Sequence, residues 1–136
     1  MSTIKTPEIK LKTARSERRQ VGGQGEEVAA RFLASRGFRV LERNWSCPEG
    51  EIDLVAEENG VLCFVEVRLK TELSGGHPLE TVTRPKRRKL LRAVQRYLAQ
   101  NESGDRPLRF DVVGIVVENG QRRLTLVRNA FEAEGW

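Results

Sequence analysis

Two carboxylates, Asp53 and Glu66, stand in strand-like runs on either side of Asn59-Gly60, and a cation, Arg68, follows two residues after the second acid. The stretch Glu51 to Lys70 reads E-I-D-L-V-A-E-E-N-G-V-L-C-F-V-E-V-R-L-K. Its arms are rich in Ile, Leu, Val and Phe, and Asn-Gly between such arms signals a hairpin with a type I′ turn. With Asn59 and Gly60 as the loop, Glu58 pairs with Val61. Counting back sets Leu54 against Val65, Asp53 against Glu66 and Glu51 against Arg68. Side chains alternate along a strand, so this register places Asp53 and Glu66 on one face with β-carbons about 5 Å apart. Facing carboxylates repel unless positive charge lies between them. Mg²⁺ and Mn²⁺ fit that requirement, being hard ions that take carboxylate and water oxygens, often with a substrate phosphate. Arg68 points to the same face as Glu66, and Lys70 lies one step beyond. The bland alternative is an exposed sheet face of mixed charge.

The elements around this hairpin follow from periodicity. A helix is expected from about Gln24 to Arg36, with Ala29, Ala30, Phe32 and Leu33 as its apolar face and Gly37 as its stop. Glu26 precedes Ala29, Ala30 and Leu33 by three, four and seven residues, so it sits on or beside the buried stripe. An acid there either stabilises the positive helix start or reaches into a site. The glycines of V-G-G-Q-G-E-E match neither the dinucleotide fingerprint nor the phosphate-binding loop. Phe38 to Asn44 reads as a strand and Trp45 to Gly50 as a loop whose tryptophan caps the core. Thr71 to Val82 is a loop bordering the site. His77 within it is a candidate acid, base or substrate contact, although a lone loop histidine usually serves none of these roles.

A second helix begins near Thr83, with Pro85 in its first turn and Leu90, Leu91, Val94, Tyr97 and Leu98 as its apolar stripe. Its other residues are Arg84, Lys86, Arg87, Arg88, Lys89, Arg92 and Arg96, with no acid among them. Like charges at a spacing of four cost a few tenths of a kcal/mol per pair, which a polyanion would relieve. Solvated faces normally mix signs. The helix therefore reads as one that packs on the sheet and offers Arg84, Lys86, Arg88 and Arg92 to phosphates. Leu108 to Val117 is an apolar strand near the sheet centre, and Arg122 to Val127 returns after a tight turn. Asp111 inside the first of these either pairs with a nearby Arg or Lys or stands behind the site. Asn129 to Trp136 reads as a short terminal helix.

The 136 residues suffice for one domain with a real core. Residues 1–20 read as a mobile basic tail and 21–136 as the folded domain. Charged residues make up 32% and aromatics 6%, with a net charge of +5. That surplus favours anionic partners, nucleic acid or a membrane face, without choosing between them. No apolar run is long enough to span a membrane, and no apolar signal core opens the chain. Cys47 and Cys63 form no C-x-x-C pair, which fits a reduced, cytoplasmic setting, and with one histidine and no cysteine cluster a structural zinc site is not expected.

The order α-β-β-β-α-β-β describes an α/β sandwich with a mixed sheet, its right-handed crossover joining the strand before the basic helix to the strand after it. Asp53 followed by Glu66-Val67-Arg68 resembles the acid and E-x-K pattern of restriction-endonuclease-like nucleases. The segments G-E-E-V-A-A-R-F-L, G-E-I-D-L-V-A, F-V-E-V-R, V-T-R-P-K-R-R-K-L and R-F-D-V-V together resemble, in order, the bacterial YraN-type family. That family is functionally uncharacterised and is similar to archaeal Holliday-junction resolvases. The resemblance implies a restriction-endonuclease-like mixed sheet flanked by helices and a Mg²⁺- or Mn²⁺-dependent site for DNA. Asp53, Glu66 and Arg68 would be catalytic, and Glu26, Asp53 and Glu66 the metal ligands. Branched or damaged DNA would be the substrate, and analogy with the resolvases implies a homodimer. Arg68 departs from the usual lysine; being always protonated, it cannot act as a base. A nucleic-acid-binding protein of the same fold, without catalysis, is the alternative.

Overall fold

The computed structural model of the chain describes residues 2–4, 15–71, 82–101 and 104–132. Its elements are β1 (Ser2–Ile4), α1 (Arg15–Ser35), β2 (Arg39–Cys47), β3 (Gly50–Glu58), β4 (Val61–Thr71), α2 (Arg84–Gln100), β5 (Leu108–Glu118) and β6 (Gln121–Val127). The strands form one mixed sheet in the order β1-β6-β5-β4-β3-β2. From α1 onward the order is the expected α-β-β-β-α-β-β. Strands β4 and β5, joined by the α2 crossover, are parallel, and the other neighbours are antiparallel.

The local chemistry explains most boundaries. Asn59 and Gly60 both have positive φ (50° and 82°), as the type I′ turn between β3 and β4 requires. Gly37, at φ 93°, ends α1: its N–H donates to the Ala34 carbonyl, and that of Phe38 reaches back to Leu33. This pair of bonds is a Schellman stop, which glycine permits. Thr83 caps α2 through an extended backbone, with Pro85 in the first turn.

Four boundaries differ from expectation. Helix α1 starts at Arg15, not near Gln24, because the glycines at 22, 23 and 25 lower helix propensity without breaking the turn. Strand β2 runs on to Cys47, so Trp45 is a strand residue. Trp45 still covers the core, meeting Tyr97 edge-on at 5.3 Å between ring centres. A short strand at Ser2–Ile4 pairs with β6, while residues 5–14, half of the expected tail, lie outside the described residues. The chain from Arg128 to Glu132 makes turns and bends instead of opening a terminal helix. His77 and the loop at 72–81 lie outside the described residues.

Two apolar layers sandwich the sheet. On one face α2 places Leu90, Leu91, Val94 and Tyr97 against Ile52, Val55, Leu62 and Phe64. On the other, α1 places Ala29, Ala30, Phe32 and Leu33 against Leu54, Ala56, Cys63 and Val65. Among the described residues no helix is long and apolar enough to cross a membrane.

Candidate functional site

The β3–β4 ladder runs from Glu58–Val61 to Leu54–Val65, as counted from the turn, and stops there. Beyond it the two strands part. Strand β4 continues on β5, with Glu66 beside Val112 and Arg68 beside Gly114, whereas β3 continues on β2, with Ile52 opposite Trp45. Side-chain alternation along β3 also breaks at this point. Val55 and Ile52 face α2 and Leu54 faces α1, so two residues that should share a face, Ile52 and Leu54, lie on opposite ones. Asp53 sits at the break. Its Oδ2 accepts the Val67 N–H at 2.8 Å, taking the place of a strand carbonyl.

A pocket of about 190 Å³ opens in this fork, lined by Gly25, Glu26, Asp53, Glu66, Val67, Arg68 and Leu69. Helix α1 delivers Glu26, which lies one turn before buried Ala29 and Ala30. Gly25 lines the pocket on the same helix turn, where a β-carbon would meet Ile115 Cδ1 at 3.8 Å and Val67 Cγ1 at 4.0 Å, both ordinary contacts. From the other layer, the positive charges of Lys86 on α2 and of Arg68 act on Glu66.

The three carboxyl groups hydrogen-bond through Asp53. Burial, then the hydrogen bond to Asp53 and its charge, raises Glu66 far above the ordinary carboxylate range. Burial, then the Asp53 charge, pushes Glu26 up to about 7, while a hydrogen bond from Asn44 opposes the shift. Carboxyl groups this close share protons or share a cation. Among the described residues no three His, Cys, Asp or Glu side chains are set out as a ready ligand shell. The donor set nonetheless suits a hard divalent cation, being three carboxylates, with Glu26 Oε2 buried and without a hydrogen-bond partner. Glu26, Asp53 and Glu66 are the residues that would hold it.

Of the residues singled out by sequence, Glu26, Asp53, Glu66 and Arg68 meet in one pocket. Lys70 is not part of its lining. Arg84, Lys86, Arg88 and Arg92 are exposed along α2. Two other arginines of that helix are engaged in the fold: Arg87 donates to the Val82 carbonyl at 3.0 Å and lies over Phe131, and Arg96 pairs with Glu49. Asp111 is wholly buried and serves as a structural acid. Arg109 chelates it at 2.8 and 2.9 Å, and the Asn129 N–H donates to it. Arg109 and Arg128 also clasp Glu58 and lie over the Phe38 ring. Two participants went unseen in the sequence. Asn44 gives no signal in a strand pattern, and Gly25 was weighed only against phosphate-loop spacings.

Comparison with known proteins places the chain among close relatives. The model for Uncharacterised protein family UPF0102 matches residues 25–115. A UPF0102 protein of Myxococcus xanthus (strain DK1622) is 40% identical over 122 residues, 90% of this chain and 97% of that protein. One from Anaeromyxobacter sp. (strain Fw109-5) is 41% identical over 119 residues, covering 88% and 90%, and one from Symbiobacterium thermophilum is 45% identical over 116 residues, covering 85% and 98%. Among solved structures, that of Pyrococcus furiosus SfsA in complex with Ca²⁺ superposes with a TM-score of 0.31 at 12% identity, over 81% of this chain and 62% of that one.

Proposed function

The chain belongs to the UPF0102 family, and we propose that it is a metal-dependent phosphodiesterase acting on DNA, with branched or damaged DNA as its substrate class. The observation that carries this reading is the fork itself. Three carboxyl groups from α1, β3 and β4 converge in one pocket with Arg68, and exposed cations of α2 begin beside it.

Glu26, Asp53 and Glu66 would hold Mg²⁺ or Mn²⁺, which when bound lowers the pKa of water and draws charge off a phosphate. Arg68 contributes a fixed positive fork that binds phosphate oxygens in two places and stabilises charge building on them. It takes no proton, so no general base is assigned to it. Lys86, Arg84, Arg88 and Arg92 hold the flanking backbone by charge, independently of base sequence.

The test is cleavage of labelled branched and duplex DNA with Mn²⁺ or with EDTA, comparing wild type, Asp53→Asn and Glu66→Gln. The expected result is metal-dependent cleavage in wild type that falls by about 10²-fold or more in each variant. Cleavage that persists in both variants defeats the assignment. Arg68 favours a second reading, a DNA-binding protein that does not cut. Under that reading wild type binds without cleaving, and Arg68→Lys restores cleavage.

A further inference from the structure

We propose that Asn44 is a positioning residue: a left-handed turn in the middle of β2 aims its carboxamide at α1 and holds the Glu26 carboxyl over Asp53. This rests on the acidic pocket being a metal site. Asn44 has φ of +51°, outside the range of a strand, yet the flanking pairs Arg43–Leu54 and Trp45–Ile52 keep one register. The departure is therefore not a bulge that inserts a residue. The bulge in β2 lies earlier, between Val40 and Glu42. The residue that the register sets opposite Asn44 is Asp53, where β3 also loses its pairing with β4.

Three other asparagines among the described residues have positive φ. Asn59 and Asn119 precede Gly60 and Gly120 in tight hairpin turns, and Asn129 sits in a turn after β6. Each has a local reason for its backbone. Asn44 has no turn to make. Left-handed backbone inside a strand persists only where the surroundings enforce it, and such strain concentrates at functional sites. Trp45, opposite Ile52, packs on the α2 face, whereas Arg43 lies opposite Leu54 of the α1 face, so β2 changes face at Asn44 just as β3 does at Asp53. The Asn44 side chain hydrogen-bonds Glu26 in the sense that favours the ionised acid, so the amide N–H donates. With one bond fixing its orientation, Glu26 still presents the unpartnered Oε2.

The variant that separates side chain from backbone is Asn44→Gly, because glycine adopts the left-handed conformation freely and lacks the amide. Two readouts are taken. In the metal-free protein, ¹⁵N–¹H spectra follow the Asn44 side-chain NH₂ pair in wild type and in Glu26→Ala. Isothermal titration with MnCl₂ then compares wild type, Asn44→Gly and Asp53→Asn, with the melting temperature of each. The expected result is an Asn44 NH₂ pair that moves to free-amide positions in Glu26→Ala. Asn44→Gly should melt near wild type and bind Mn²⁺ about 10- to 100-fold more weakly. An NH₂ pair indifferent to Glu26→Ala overturns the proposal, as does wild-type Mn²⁺ affinity in Asn44→Gly. Failure of wild type to bind Mn²⁺ any better than Asp53→Asn sinks the metal reading instead. The NH₂ pair then still decides whether Asn44 holds Glu26.

Discussion

The Val67 amide donates to Asp53 Oδ2 at 2.8 Å, where the β3–β4 ladder has ended two residues earlier on β4. A side chain thus closes a bond that a strand carbonyl would normally make, and in doing so holds the fork open. The same carboxylate receives Glu26 and Glu66.

Crowded acids make the metal-free protein sensitive to pH. Glu26 holds its proton to about 7 against an ordinary 4.5, and Glu66 is raised in the same direction. A folded state that binds protons more tightly loses stability as pH rises. The contribution of these two acids is thus full below about 4.5 and is lost as pH climbs through about 7 for Glu26 and at higher pH still for Glu66. Melting temperatures over that range should decline in EDTA, less steeply in Glu26→Gln, and less steeply again with Mn²⁺. Glu58 has the opposite sign. Its hydrogen bond from Arg128 holds it down to about 2, so its contribution disappears as pH falls from 4.5 toward 2. A flat EDTA profile above pH 4.5 would show that the acids are not crowded in solution.

Asp111 should matter for stability and not for chemistry. Removing it takes two hydrogen bonds from the mostly buried Arg109, whose pKa its bond to Asp111 raises, leaves Glu58 as that guanidinium's remaining acid, and leaves the Asn129 N–H without its acceptor. Breaking a buried pair from one side costs about 3–5 kcal/mol. Denaturant unfolding of Asp111→Ala should show a loss of that size, while Mn²⁺ affinity, measured where the variant is still folded, stays near wild type. A loss of affinity without a loss of stability would move Asp111 into the site.

Gly25 and Gly50 make opposite predictions for the same substitution. A β-carbon on Gly25 finds ordinary contacts at 3.8 and 4.0 Å, so Gly25→Ala is accommodated and gains up to about 1 kcal/mol of helix propensity. A β-carbon on Gly50 would lie 3.3 Å from the Lys89 carbonyl oxygen, forcing α2 away from the start of β3. Gly50→Ala should cost about 1–3 kcal/mol, as overpacking does. Thermal unfolding of the two variants, side by side, checks the ordering.

Binding to DNA should depend on salt through α2. Neutralising Arg88 and Arg92 together, as Gln, should lower the slope of log affinity against log salt by about 2 if each contacts one phosphate. Neutralising Arg87 should instead affect stability, because its guanidinium is bonded to Val82 and lies over Phe131. An unchanged slope for the Arg88 and Arg92 pair would remove α2 from the interface.

The hairpin, its turn and the Leu54–Val65 pairing were legible because Asn59-Gly60 fixes the register by counting. The same counting predicted Asp53 directly across from Glu66. The two do meet, but through a parting of the strands that no alternation pattern encodes. Glu26 was left open between a helix-end charge and a site acid, and only the packing of α1 brings it to the pocket beside Asp53 and Glu66. Asn44 was invisible because its role lies in a backbone angle. The glycines at 22, 23 and 25 hid the helix start for the complementary reason: glycine lowers helix propensity on average without forbidding a helix.

Elsewhere in this molecule the sheet is a wall. Side chains on the α1 layer and on the α2 layer meet different neighbours, and substitutions on opposite sides should add independently. The fork is a doorway through that wall. Glu26 arrives from one layer and Lys86 acts from the other, on acids that touch each other. The fork is therefore a place where the two layers are coupled energetically. A double-mutant cycle on Glu26 and Lys86 should be non-additive, although the two helices that carry them lie on opposite sides of the sheet.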